Sequence, residues 1–196
     1  AANLMNSGRI TEKVFDFAKC LVGRARGGMG HVNVIASLIF SGMTGSAVAD
    51  ASGLGIMEIE TMKKDGYDAG FSSAITAASA VIGPIFPPSI PFVIYAMIAE
   101  VSVGNMFLAG MAPGVFLAIA LCIYVAYIAH KRDYPRGHRV TFKHFIKTTL
   151  SALPAIFTPV IILTSIYAGF ATATEAAAVA GMYALIVSVI VYRSLD

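Results

Sequence analysis

The sequence predicts an all-helical integral membrane protein organised around a re-entrant helical hairpin and a broken transmembrane helix. Composition is the first reason. Of the 196 residues, 57% are hydrophobic and 13% charged, with mean hydropathy +0.76, whereas a soluble domain carries about 25% charged residues. The second is charge placement. Basic residues cluster as Arg9, Lys13, Lys19, Arg24 and Arg26, then Lys63 and Lys64, then Lys131 to Lys147, with almost none in the apolar stretches between. That is how loops on one membrane face are marked. The third is a matched pair of interruptions, SGMTGSAVAD (Ser41–Asp50) and GPIFPPSIP (Gly83–Pro91), inside apolar segments. Unpaired backbone groups are costly in hydrocarbon, so such breaks persist only where protein or a watery cavity satisfies them. In secondary transporters they gather ion and substrate near the midplane.

The same residues exclude other classes. A net charge of +3 carried by loop clusters does not make a nucleic-acid surface. Cys20 and Cys122 are the two cysteines and lie too far apart for a disulfide framework or thiolate metal site, so both read as reduced and structural. No basic n-region precedes an apolar h-region, so no cleavable signal peptide is read, and Ala1–Met5 resembles the tail of an apolar helix cut in its middle. No GxxxxGK[ST], GxSxG or HExxH run occurs, which argues against ATP as energy source and against an enzyme.

Along the chain, Arg9–Arg26 alternates Val14, Phe15, Phe17, Leu21 and Val22 with basic residues, predicting an amphipathic helix at the cytoplasmic interface. The run GGMGH breaks it. His31–Phe40 is apolar but reaches only about 15 Å as helix, half of a hydrocarbon core of about 30 Å. Ser41–Ser46 interrupts, and Ala47–Met57 is long enough to return. Both flanks are basic, Arg24 and Arg26 before and Lys63 and Lys64 after, which favours entry and exit on one face. The competing geometry is one tilted helix over Val32–Ile56 with a glycine kink.

KKDGYDAG (Lys63–Gly70) is a polar turn. Phe71–Ile98 crosses outward and must unwind, because Pro84, Pro87, Pro88 and Pro91 each remove a donor and clash one turn back. Glu100–Asn105 suits the outer face. Met106–His130 crosses back, with GMAPG (Gly110–Gly114) read as a helix break at Pro113 rather than a small-residue packing face. His130–Lys147 is a second basic stretch with an amphipathic tail. Leu150–Phe170 crosses outward, Thr172 to Glu175 matches the capping box, and Ala176–Tyr192 returns to Arg193.

The candidate site residues are those of the two breaks. Ser41, Gly42, Thr44, Gly45, Ser46 and Asp50 form the first tip; Ser79, Gly83, Pro84, Pro87, Pro88 and Ser89 form the second. Hydroxyls and freed carbonyls are hard oxygen donors suited to a group-IA cation, and the returning half-helix N-terminus favours an anion. Asp50 is the sharpest residue, since an acidic side chain at membrane depth marks function by default. It reads equally as an ion contact and as a capping or inter-helix hydrogen-bonding carboxylate. His31 and Asn33 read as interfacial anchors, His130, His138 and His144 as solvated loop residues, and Glu175 as a cap.

The runs RGGMGHVNVIASLIFSGMTGSAVADASGLG, KKDGYDAGFSSAITAASAVIGPIFPPSIP and ATATEAAAVAGMYAL resemble the large membrane subunit of tripartite ATP-independent periplasmic (TRAP) transporters over essentially the whole chain. The resemblance implies an ion-transporter-like inverted-repeat fold, with one repeat present here, and a multi-pass location in the bacterial inner membrane. It also implies a periplasmic binding protein that delivers an organic acid such as a C4-dicarboxylate or sialic acid, a small membrane subunit, and elevator movement driven by Na⁺. Na⁺ is then the coupling ion and no other cofactor is expected. By position, the hairpin is His31–Met57 and the broken helix Phe71–Ile98, together forming a sodium site with Ser41, Ser46, Ser89 and nearby carbonyls as donors. One departure is Thr172-Ala173-Thr174-Glu175 where the family has T-P-T-E.

The expected organisation is a single, partial membrane domain over 1–196: an amphipathic segment within 1–29, the hairpin over 30–58, the broken helix over 71–98, and spans over 106–130, 150–170 and 175–193. A chain with one hairpin is expected to be a fragment of the subunit. Two other classes share these features. One is a channel or different re-entrant carrier, separable by whether flux needs a binding protein. The other is a non-transporting scaffold, separable by whether Asp50 and Ser41 tolerate substitution.

Overall fold

The computed structural model describes residues 10–137 and 141–192. The expectations for Ala1–Met5, Arg9, His138 and Arg193 lie outside the described residues. Within them the chain is helical: α1 (Ile10–Val22), α2 (Gly28–Thr44), α3 (Ala47–Lys64), α4 (Ala69–Ala80), α5 (Ile90–Ile98), α6 (Val103–Lys131), α7 (Phe142–Tyr167) and α8 (Ala173–Ile186), with α8 running into a π-helical turn over Val187–Val191. Among the described residues, three helical stretches are long and apolar enough to cross a membrane: Val103–Lys131, Phe142–Tyr167 and Ala173–Val191. Their outward faces carry Phe116, Ile123, Leu150, Met182 and Ile190, all exposed.

The predicted amphipathic helix forms, but its apolar stripe of Ile10, Val14, Phe15 and Ala18 is buried against α2 and α7. Protein, rather than the lipid interface, covers that face. The break after it falls earlier than GGMGH. Gly27, at φ +70, precedes α2, and GMGH is already helical.

The hairpin break is shorter than Ser41–Ser46. Helix α2 continues through Ser41, Gly42 and Thr44, and the Ser41 and Thr44 hydroxyls are satisfied within the helix. Ser41 Oγ donates to the Leu38 carbonyl at 2.8 Å and Thr44 Oγ1 to Phe40 at 3.4 Å. Gly45 then ends the helix at φ +61, its N–H bonded to the Ser41 carbonyl, a left-handed cap that glycine adopts without a Cβ penalty. Ser46 caps α3 by accepting from Ala49 N–H. The chain folds back here, since Asn33 Nδ2 on α2 donates to Glu58 Oε2 on α3 at 2.8 Å. Seventeen residues make α2 about 25 Å long, longer than the apolar run alone implied.

Aromatic packing closes the open end of this fold-back. Tyr67 and Tyr134 have ring centroids 4.4 Å apart, and Phe71 lies 5.3 Å from Tyr134. The Tyr67 hydroxyl accepts from Met29 N–H, and burial pushes that phenol up to about 12.

The second interruption runs over residues 81–89 as turns between α4 and α5. Asp68 caps α4 and Ser89 caps α5, where Pro91 falls in the first turn and its missing N–H costs nothing. The Pro87–Pro88 bond is cis.

The predicted break at Pro113 is not there. Helix α6 runs unbroken from Val103 to Lys131 with Pro113 inside it. The flanking glycines are packing positions instead: a Cβ on Gly110 would run into the Phe92 ring, and one on Gly114 would lie 3.0 Å from Phe86 Cβ. Close support from neighbouring segments is what lets a membrane helix keep a proline. The last predicted outward span starts earlier than Leu150, because the amphipathic tail joins it as the first turns of α7, which contains Pro154 and Pro159. The capping box forms as predicted, Thr172 and Glu175 bonding reciprocally.

Candidate functional site

The two interruptions meet. A Cβ on Gly45 would collide with the Pro88 carbonyl oxygen, and one on Gly83 would lie 3.1 Å from the Ser46 carbonyl carbon. Ile90 N–H donates to the Gly45 carbonyl at 3.4 Å. Gly42 faces Pro159 of α7, with 3.2 Å between its built Cβ and the proline ring. Glycine at these points is a packing requirement: backbone lies against backbone where a side chain would separate the breaks.

Oxygen atoms are concentrated at this junction. Ser89, buried to 1% exposure, donates to the Pro84 carbonyl at 2.6 Å and accepts from Phe92 N–H at 3.3 Å. Ser41 is fully buried. A serine oxygen that donates its single proton keeps lone-pair capacity, so Ser41 and Ser89 are polarised towards acting as acceptors. Ser46 sits at the turn itself, with Pro87 and Pro88 across from Gly42 and Gly45.

Ser79 lies elsewhere. It belongs to a buried polar seam where α2, α3 and α4 face one another. Ser79 Oγ donates to Asn33 Oδ1 at 2.7 Å, Ser37 Oγ donates to Ser79 Oγ at 3.1 Å, and Asn33 Nδ2 also reaches Thr76 Oγ1 at 2.6 Å. Asn33 is fully buried, so the interfacial-anchor reading is corrected: it is the node joining the three helices. Sequence reasoning missed this seam. Its signal was Asn33, Ser37 and Ser41 at four-residue spacing, facing Ser72, Thr76 and Ser79, one polar stripe on each helix.

Asp50 stands between seam and tip, in the first turn of α3. Capping is done by Ser46, so Asp50 is not the cap. It is 1% exposed and has Ser37 beside it, yet neither carboxylate oxygen has a hydrogen-bond partner of normal geometry among the described residues. Glu58, on the same helix, is equally buried and leaves Oε1 unpartnered. Thr158 of α7, next to Pro159, is fully buried with its hydroxyl also unpartnered. A buried carboxylate without a cation or donors is unfavourable, and Asp50 sits close to the tip, its own N–H bonded to the Ser46 carbonyl at 3.1 Å. No group of three or more His, Cys, Asp or Glu residues able to hold a metal ion occurs among the described residues. Serine and backbone oxygens would therefore dominate any cation site at the breaks, with Asp50 supplying charge.

Residues 1–196 match the family described as the DctM component of the tripartite ATP-independent periplasmic transporter. The chain is 47% identical over 193 residues to the sialic acid TRAP transporter large permease protein of Vibrio cholerae serotype O1, covering 98% of this chain and 45% of that one. It is 48% identical over 192 residues to the sialic acid TRAP transporter permease protein of Haemophilus influenzae, covering 98% and 31%. Against the C4-dicarboxylate TRAP transporter large permease protein of Pseudomonas aeruginosa the identity is 36% over 191 residues, covering 97% and 45%. The chain spans less than half the length of these relatives.

Proposed function

Because the chain belongs to the DctM-component family of TRAP transporters, a family of transporter permeases rather than enzymes, we propose that it carries the first ion-binding half of a Na⁺-driven large permease subunit for organic acids. The observation that carries the proposal is the Asp50 carboxylate, 1% exposed, with Ser37 beside it but no hydrogen-bond partner of normal geometry among the described residues, next to the meeting point of two helix breaks. A dehydrated Na⁺ there takes hard oxygen ligands from Ser41, Ser46, Ser89 and freed carbonyls, while Asp50 balances its charge. Gly42, Thr44, Gly45, Gly83, Pro84, Pro87 and Pro88 shape the junction.

The α2–α3 pair is a re-entrant hairpin in this reading. Its outer ends lie beside Arg24, Arg26, Lys63 and Lys64, which by the positive-inside rule places both ends in the cytoplasm. The apolar helices α6 to α8 support a multi-pass protein of the bacterial inner membrane. Substrates are organic acids of the kinds that the relatives' names give, sialic acid and C4-dicarboxylates, delivered by a periplasmic binding protein with a small membrane subunit completing the scaffold. A Na⁺ site at the hairpin tip couples the gradient to elevator movement of the hairpin with its broken helix.

The test uses the full-length subunit with its small partner and binding protein in proteoliposomes. Ser46→Ala combined with Ser89→Ala should raise the Na⁺ concentration needed for half-maximal uptake. An unchanged Na⁺ dependence at normal protein levels would exclude these hydroxyls as donors.

A further inference from the structure

The polar seam between α2, α3 and α4 holds a second buried acid that the meeting of the helix breaks does not use. Asp50, Leu54, Glu58 and Met62 form one buried stripe of α3 at four-residue spacing. Glu58 stands about 12 Å along the axis from Asp50 and about 9 Å before Lys64, which is exposed at the helix end.

The seam closes around Glu58. A Cβ on Gly55 would lie 2.7 Å from the Thr76 methyl, so α3 and α4 touch there without room for a side chain. Glu58 Oε2 accepts from Asn33 Nδ2 at 2.8 Å. Its Oε1 has no partner among the described residues, although the side chain is buried.

Nothing balances a charge at this position. Glu58 has no ion-pair partner among the described residues. Helix α3 packs on α2 and α4. No ionisable residue occurs in α4, and the one in α2 is His31, two positions from Asn33 and therefore on another side of the helix. The ionisable group that acts on Glu58 is Asp50, which carries the same sign. An ionised Glu58 would be a buried charge with a single donor and a like charge on its own stripe, an arrangement that favours the neutral acid.

A metal cation suits the position poorly. Asn33 Oδ1 accepts from Ser79 Oγ at 2.7 Å, which turns the amide protons towards Glu58 and Thr76. N–H groups facing the carboxyl repel a cation, and hard cations take several oxygens at once. A proton takes one.

We propose that Glu58 is a proton-binding site, its carboxyl held as the neutral acid at neutral pH with the proton on Oε1. Oε2 accepts from Asn33 in either protonation state. The bound proton leaves Asp50 as the one charge of the stripe. Its release puts two like charges on α3 and loosens the α2–α3–α4 contact. The proposal is independent of the Na⁺ reading.

Infrared difference spectroscopy of the full-length subunit in Na⁺-free detergent buffer, wild type minus Glu58→Gln at neutral pH, tests it. The difference should contain the carbonyl stretch of a protonated carboxyl and no carboxylate bands, and the same stretch should persist in Asp50→Asn. Carboxylate bands in that difference, or loss of the stretch in Asp50→Asn, would overturn the assignment. Thermal unfolding supplies a second readout. Glutamine mimics the neutral acid, so Glu58→Gln should fold as stably as the wild type at neutral pH, whereas Glu58→Ala should not. Unfolding frees the carboxyl to ionise, so the wild-type folding constant should fall by up to about tenfold per pH unit above the ordinary glutamate range, until Glu58 titrates in the folded protein. Glu58→Gln should lack that slope. A glutamine variant that is as unstable as the alanine one, or that keeps the wild-type slope, would equally overturn the proposal.

Discussion

Replacing Asn33 with alanine removes three buried hydrogen bonds in one step: to Glu58 at 2.8 Å, to Thr76 at 2.6 Å and from Ser79 at 2.7 Å. The two neutral bonds contribute about 1 kcal/mol each and the bond to the carboxyl about 2 kcal/mol. The expected loss is therefore about 4 kcal/mol, a large part of a typical stability of about 5–15 kcal/mol. Glu58 is left without its Asn33 donor while 1% exposed, so the cost is concentrated at the α2–α3–α4 contact. Thermal unfolding of the full-length subunit in detergent, followed by helical circular dichroism, gives the assay for Asn33→Ala, Glu58→Ala and the double variant. A coupling energy of about 2 kcal/mol between the two positions is expected, since each single variant strands the other's partner. Additivity within about 0.5 kcal/mol, or a fully stable Asn33→Ala, would refute the claim that this residue ties the three helices together.

Other consequences concern the tip and the orientation. Gly45→Ala meets both a left-handed φ of +61 and the Pro88 carbonyl; it should destabilise by at least about 1–2 kcal/mol and abolish uptake, and wild-type uptake would show that the breaks need not touch. Cysteines replacing the exposed residues Ala25 and Asp65 should react with a membrane-impermeant reagent from one side, and one replacing Val101 from the other; labelling of positions 25 and 65 from opposite sides would exclude re-entrance.

Much of this architecture was legible because glycine and proline act through the backbone. Pro84, Pro87 and Pro88 cannot continue a helix, and the unwound stretch lies where they are. Gly45 was readable as part of a break, but the extent of the break was not. Whether Ser41 and Thr44 leave the helix depends on whether their hydroxyls find the carbonyls three and four residues back, and here they do. Pro113 illustrates the opposite error. The local rule breaks a helix at proline, but Gly110 and Gly114 let Phe92 and Phe86 pack closely against α6, and the helix holds.

The polar seam was hidden for a different reason. Asn33, Ser37, Thr76 and Glu58 are unremarkable singly. Their meaning comes from pairing across three helices whose registers no local pattern states. The amphipathicity of α1 was visible, but the identity of what covers it, α2 and α7, is a tertiary fact. Asp50 was singled out by its depth alone; the cap belongs to Ser46, which removes the capping role and leaves ion contact beside an inter-helix role next to Ser37.

The central claim is that Asp50 supplies the charge for a cation held between the two breaks. Two unit charges about 5 Å apart interact by about 3 kcal/mol at an effective dielectric constant of about 20. Removing one should weaken binding by well over tenfold, at about 1.4 kcal/mol per tenfold. Na⁺ titration calorimetry on the purified full-length subunit with its small partner, wild type against Asp50→Asn, measures this directly. The account predicts Na⁺ binding by the wild type and a loss of more than about tenfold in the folded variant. Equal Na⁺ affinity in the two proteins would contradict it.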